Sequence, residues 1–174
     1  SSIPASLGEI DDGERTLKLF GDIAITSDQG SLLISINNPG SWQLKSLQIT
    51  SFQTTDTGGT PVSAIVSGAS FRVVITVRNI SSATQNGIVA IPSPPTQNRG
   101  GTWFSLLTNC SLTGTSPSPL NLASGASGTI TYTCTTVATD NGTVSFTVTN
   151  VRNGANTATS LTATSNTLVV SPVT

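Results

Sequence analysis

The sequence predicts an all-β chain, an immunoglobulin-like two-sheet β-sandwich with an N-terminal strand-bearing arm, on three observations. No window keeps apolar residues at i, i+3, i+4 and i+7, so no amphipathic helix is encoded. Apolar and polar residues instead alternate over short runs rich in β-branched side chains, the pattern of half-buried strands. Clusters of Ser, Gly, Pro and Asn interrupt these runs every 8 to 15 residues or so, a spacing that fits a sandwich better than a closed barrel.

In chain order, the first 44 residues stand apart. The acidic stretch Gly8-Glu9-Ile10-Asp11-Asp12-Gly13-Glu14 precedes strand-like runs at 16–20, 22–26 and 31–36, and Asn37-Asn38-Pro39-Gly40 closes the region. It is short for a core of its own. Its runs are therefore expected to pair with the sandwich, in the same molecule or in a neighbour.

The sandwich is expected over residues 45–174. Its strongest strand is 71–78, followed by a polar turn at 79–86 and a second strand at 87–91, together read as a hairpin-like unit. The segment Ile91-Pro92-Ser93-Pro94-Pro95 cannot lie within a central strand, since each Pro removes a ladder donor, and is expected at an edge or in a crossover loop. Further strands are predicted at 103–107, 128–135, 143–149, 158–164 and 167–170. Within 143–149, Val144, Phe146 and Val148 fall on one face and Thr143, Ser145, Thr147 and Thr149 on the other.

Composition narrows the function. The chain of 174 residues has a net charge of −1 and only 9% charged residues, which gives no electrostatic footprint for nucleic acid or an anionic membrane. With 25 serines, 29 threonines and two lysines, its surface is kept in water by hydroxyls and amides. No apolar stretch reaches the roughly 20 residues of a membrane-spanning helix. The start Ser1-Ser2-Ile3-Pro4 has neither an initiator Met nor a signal-peptide core, so a mature chain, exported with its signal peptide cleaved and not inserted in a membrane, is expected.

The absence of histidine excludes Ser-His-Asp and Cys-His catalysis and His-ligated metals. Paired carboxylates are scarce, since only Asp56 and Asp140 lie beyond residue 28, and no enzyme activity and no cofactor are expected. Asp11, Asp12 and Glu14 do not form a calcium-loop pattern and fit a solvated linker, so no metal is expected. Trp42 and Trp103 fit core anchors better than a sugar platform. Lys18 and Lys45 are the only lysines for an isopeptide crosslink, which spacing alone does not support.

A single pair, Cys110 and Cys134, in neighbouring strand-like segments of an exported chain reads as a disulfide. Closing a loop of about 25 residues contributes roughly 3 to 3.5 kcal/mol in the chain-entropy model. Three sequons, Asn79-Ile80-Ser81, Asn109-Cys110-Ser111 and Asn141-Gly142-Thr143, are glycosylation candidates, Asn79 and Asn141 because they fall at predicted turns.

At Leu47-Gln48-Ile49-Thr50 and at Val66-Ser67-Gly68-Ala69-Ser70-Phe71 through Val77-Arg78-Asn79, the sequence resembles the opening of CARDB-like and related immunoglobulin-like repeats of bacterial and archaeal surface proteins. The stretch Leu122-Ala123-Ser124-Gly125-Ala126-Ser127 to Tyr132 and the ending Thr164-Ser165-Asn166-Thr167-Leu168-Val169-Val170 are similar to later strands of such repeats. The resemblance spans about residues 45–172 and implies a sandwich in an extracellular setting. The whole chain, a Ser/Thr-rich sandwich with an arm, looks like subunits of surface filaments built by donor-strand exchange, such as archaeal threads and bundling pili.

The expected function is a structural subunit of an extracellular surface filament, a homopolymer of this chain whose arm strands complete the neighbour's sandwich, with roles in adhesion or biofilm. Candidate donor residues are Ile3, Leu7, Leu17, Leu19, Ile23 and Ile25. The alternative is an adhesin or carbohydrate-binding module of a larger surface protein, contacting cell surfaces or glycans through loops such as 91–101.

Overall fold

The computed structural model of the chain describes residues 2–3, 9–11, 16–18, 23–28, 31–36, 45–98 and 105–174. The elements among them are all strands, and the chain separates into two compact units, Ser1–Leu44 and Lys45–Thr174.

The first unit holds β1 (Ser2–Ile3), β2 (Glu9–Asp11), β3 (Thr16–Lys18), β4 (Ile23–Asp28) and β5 (Ser31–Ile36). Strands β4 and β5 pair antiparallel from Ile23 opposite Ile36 to Asp28 opposite Ser31. The two residues between them, Gln29-Gly30, have the length and the Gly that tight hairpins favour. β1 joins the other edge of β4 through two pairs, Ser2 with Ala24 and Ile3 with Ile23, while β2 and β3 form a separate ribbon. This corrects the expectation that these runs must borrow a sheet: they find main-chain partners in one another.

The second unit is a two-sheet β-sandwich made of β6 (Leu47–Thr55), β7 (Ala64–Val66), β8 (Ser70–Asn79), β9 (Val89–Asn98), β10 (Leu107–Ser116), β11 (Ser127–Thr136), β12 (Gly142–Arg152), β13 (Ala163–Thr164) and β14 (Leu168–Ser171). One sheet is antiparallel with the order β10-β11-β8-β6. In the other, β12 carries β9 along one side and β13 and β14 along the opposite side, and β7 pairs parallel to β14.

Alternation decides what is buried. On β8, Phe71, Val73, Ile75 and Val77 are all buried; on β12, Val144, Phe146 and Val148 are the buried set, the face their spacing predicts. Phe71 and Phe146 meet across the sheets with ring centroids 5.9 Å apart and planes at 57°. Each such ring, taken out of water, stabilises the sandwich by about 1.5 to 3 kcal/mol. Gly128 of β11 is required by close approach, since a Cβ there would lie 2.5 Å from Leu120 Cδ1 and 2.7 Å from the Ser116 carbonyl oxygen.

Two expectations change. The runs 71–78 and 87–91 are not a hairpin: β8 pairs with β6 and β11, whereas β9 pairs with β12 in the opposite sheet. The connection crosses between sheets because it is bonded to the loop before β11, by Gln85 N–H to Leu122 O and Ile88 N–H to Leu120 O, each 2.9 Å. Sequence periodicity also passes over most of β10, whose predicted counterpart ended at Leu107; residues 103–104 lie outside the described residues. Nearly every side chain of β10 is exposed, so burial imposes no apolar alternation on it.

Candidate functional site: the open side of the sandwich

The two sides of the sandwich are finished differently. At the β6 side, Thr54 N–H donates to Asn166 Oδ1 (2.8 Å), Asn166 Nδ2 donates to Thr54 Oγ1 (2.8 Å), and Val62 N–H donates to Thr54 O (3.0 Å). These bonds tie the outer edge of one sheet to the segments flanking β7 and β14 of the other. The opposite side is bounded by β10 and β9, and among the described residues no strand pairs with the outer edge of either.

Register fixes what these edges offer. Thr136 N–H bonds Ala69 O on the β8 side (3.0 Å), while Val137 N–H bonds Leu106 O on the β10 side (2.8 Å). Even residues of β11 therefore turn their main chain to β8 and odd ones to β10. Cys110 lies opposite Cys134 and Leu112 opposite Tyr132, so both are non-hydrogen-bonded pairs across the ladder. The Cα atoms of Cys110 and Cys134, 4.0 Å apart, have the short separation of that class. Cys110 and Leu112 consequently direct their own N–H and C=O groups outward, away from β11.

The β9 edge is poor in donors. Phe146 exchanges bonds with Ser165 on the β13–β14 side, through Ser165 N–H to Phe146 O (2.8 Å) and Phe146 N–H to Ser165 Oγ (2.9 Å). By alternation Thr147 turns to β9 and Val148 away from it. Pro92, opposite Val148, thus points its nitrogen at the open side, where it has no hydrogen to give. Pro94 and Pro95 follow where the ladder shifts register. The Pro-rich run is an edge, one of the two places its sequence allowed.

Between these edges lies an apolar groove with a cavity of about 320 Å³. Its floor is Phe52, Val73, Ile75 and Tyr132 from one sheet and Phe146 and Val148 from the other; Cys110 stands at one rim and Pro92 and Pro95 at the other. Leu112, opposite Tyr132 in the ladder, shares the face of Cys110 and is 56% exposed, an uncovered aliphatic side chain on the edge strand. Burial pushes the Tyr132 phenol above its ordinary pKa near 10, because the ionised form loses hydration there. No carboxylate, lysine or arginine lines the groove, so it suits an uncharged apolar occupant.

The predicted disulfide is present between Cys110 and Cys134 and ties this exposed edge strand to the buried Cys134 of the interior strand β11. Such bonds persist in oxidising compartments. No helix among the described residues is long and apolar enough to cross a membrane.

The sequon asparagines are not equivalent. Asn79 is 0% exposed: its Nδ2 donates to Ala83 O (2.8 Å) and Leu122 O (2.9 Å), and its Oδ1 accepts from Ser81 N–H (3.0 Å). This corrects its candidacy, because a side chain sealed in the loop it organises cannot take a glycan in the folded protein. Asn109 is exposed on β10 and Asn141 is half-buried just before β12. Of the donor candidates, Ile3 falls in β1, Leu17 in β3, and Ile23 and Ile25 in β4, while Leu7 and Leu19 lie outside the described residues. So do Asp12, Glu14, Trp42 and Trp103; Asp11 falls in β2 and Lys18 in β3, and Lys45 Nζ donates to Thr159 Oγ1 at 3.3 Å. The described residues contain no group of three metal-ligating side chains.

Sequence reasoning missed the groove. The signals available were the prolines of β9 and the alternation of Cys110 with Leu112, but which edges face each other is set by pairing far apart in sequence.

No family model matches the chain, and no curated protein matches it. Among solved structures it is similar to the secreted serine protease VesC from Vibrio cholerae, at 14% identity and a TM-score of 0.28, over 70% of this chain and 23% of that one. A likeness of that size carries no argument. This chain spans less than a quarter of that protein's length.

Proposed function

We propose that this chain is a structural subunit of an extracellular surface filament, a pilus or thread serving adhesion or biofilm, in which an arm strand of one copy fills the groove of the next. The observation that carries the proposal is the uncharged apolar groove between β9 and β10, combined with the outward main-chain groups of Cys110 and Leu112. An unpaired edge beside exposed apolar surface is a site for strand addition. The first 44 residues carry alternating strands, and one of them, released from its partner within the first unit, would supply an occupant of matching chemistry. Carbohydrate would find few polar partners on the groove floor, which favours the polymer over a sugar-binding module.

Electron microscopy of the concentrated full chain is the test. Fibres of uniform width support the proposal. Dispersed monomers at all concentrations, with binding on a glycan array, would replace it with the adhesin reading.

A further inference from the structure

Resting on the filament reading, the geometry points to a one-sided insertion: residues 1–7 of a second copy hydrogen-bond to β10 alone and only pack against β9. In an extended strand, residues two apart share both a side-chain face and a main-chain edge. In Ser1-Ser2-Ile3-Pro4-Ala5-Ser6-Leu7, the set Ile3, Ala5 and Leu7 is apolar, and the other set contains Pro4. If the apolar set enters the groove, its N–H and C=O groups necessarily turn to one edge and the Pro4 nitrogen to the other.

The groove has the matching asymmetry. Cys110 and Leu112 face inward with their side chains and outward with their main chains. A strand hydrogen-bonded opposite them in an antiparallel ladder places its own inward-facing residues in register with them. Ile3, Ala5 and Leu7 satisfy that condition. Pro4 then faces β9, where Pro92 also lacks a donor, so no hydrogen bond is lost between two edges that could not form one there. Had Ala5 been the proline, the hydrogen-bonding edge would be the one interrupted.

Among the described residues, β1 shares two residue pairs with β4, whereas β4 and β5 share six, and β4 is paired along both edges. Donating β4 would dismantle the β1-β4-β5 sheet; donating residues 1–7 leaves the β4–β5 pairing whole.

Paired proline substitutions in the full chain test the assignment, with assembly read by sedimentation and electron microscopy. Ala5→Pro removes an N–H directed at β10 and is expected to raise the critical concentration for fibres roughly tenfold or more, the scale of a lost buried hydrogen bond with its partner stranded. Ser6→Pro removes an N–H directed at β9 and is expected to leave it within about twofold. In wild-type fibres the amides of Cys110 and Leu112 become protected from hydrogen exchange, while they exchange freely in the monomer. Equal assembly of both variants would overturn the choice of donor, and equal loss would overturn one-sidedness, while wild-type fibres keep the filament reading. If the wild-type chain forms no fibres, that reading fails and this one with it.

Discussion

The β6 side and the β9–β10 side belong to one sandwich, yet one is sewn shut and the other is left open. On the closed side, Thr54 is 1% exposed and its N–H meets Asn166 Oδ1, so an edge donor that would otherwise point at solvent is satisfied within the chain. On the open side, Cys110 and Leu112 hold the equivalent outward groups with nothing paired to them among the described residues. The difference teaches that edge protection here is selective. β9 is blunted by prolines, β6 is closed at Thr54 by side chains, and β10 keeps outward donors and acceptors beside an apolar floor.

The largest change to this comparison is expected from cutting the covalent tie of the open edge. Replacing both Cys110 and Cys134 by Ser should lower unfolding free energy by about 3 kcal/mol, since the loop of about 25 residues regains its entropy in the unfolded chain. Denaturant unfolding of the variant and parent measures it, and a loss under about 1 kcal/mol would mean that β10 is held mainly by its ladder. Amide exchange should rise first in 107–116, the strand whose side chains contribute least burial.

On the closed side, Asn166→Ala leaves the Thr54 N–H buried without a partner. The expected loss is about 1 to 3 kcal/mol, the cost of an unsatisfied buried donor. A variant as stable as the parent would show that water or a shift of the chain repairs this edge, and the contrast between the sides would shrink accordingly.

The smallest effect on monomer stability is expected at Leu112. Leu112→Ser exposes no new core, so thermal unfolding of the monomer should change by no more than about 0.5 kcal/mol. Fibre formation should nevertheless fall, because the same side chain would be covered by an incoming strand. A large stability loss in the monomer would place Leu112 in the core instead and weaken the case for an unfilled groove.

What could be read before folding was whatever is local. The all-β class follows from period-2 alternation, and the buried sets Phe71, Val73, Ile75 and Val144, Phe146, Val148 follow from the same rule, since a strand between solvent and core has one face for each. The edge character of Pro92 to Pro95 was also local, because proline lacks an N–H in any context. The pairing of Cys110 with Cys134 was legible because a lone pair of cysteines in adjacent strands has few alternatives.

The tertiary structure decided everything that depends on which strands meet. Asn79 reads as an exposed turn in sequence, but the 121–126 loop folds over it and its amide becomes an internal fastener. β8 and β9 read as a hairpin, but β9 finds its ladder on β12, more than 40 residues onward, because burying both apolar faces requires a second sheet rather than a longer first one. The groove exists only because those long-range choices leave a donor-poor edge opposite a donor-bearing one, with Phe52, Tyr132 and Phe146 between them. Alternation states which face of a strand is apolar; it carries no information about what, in the folded molecule, will cover it.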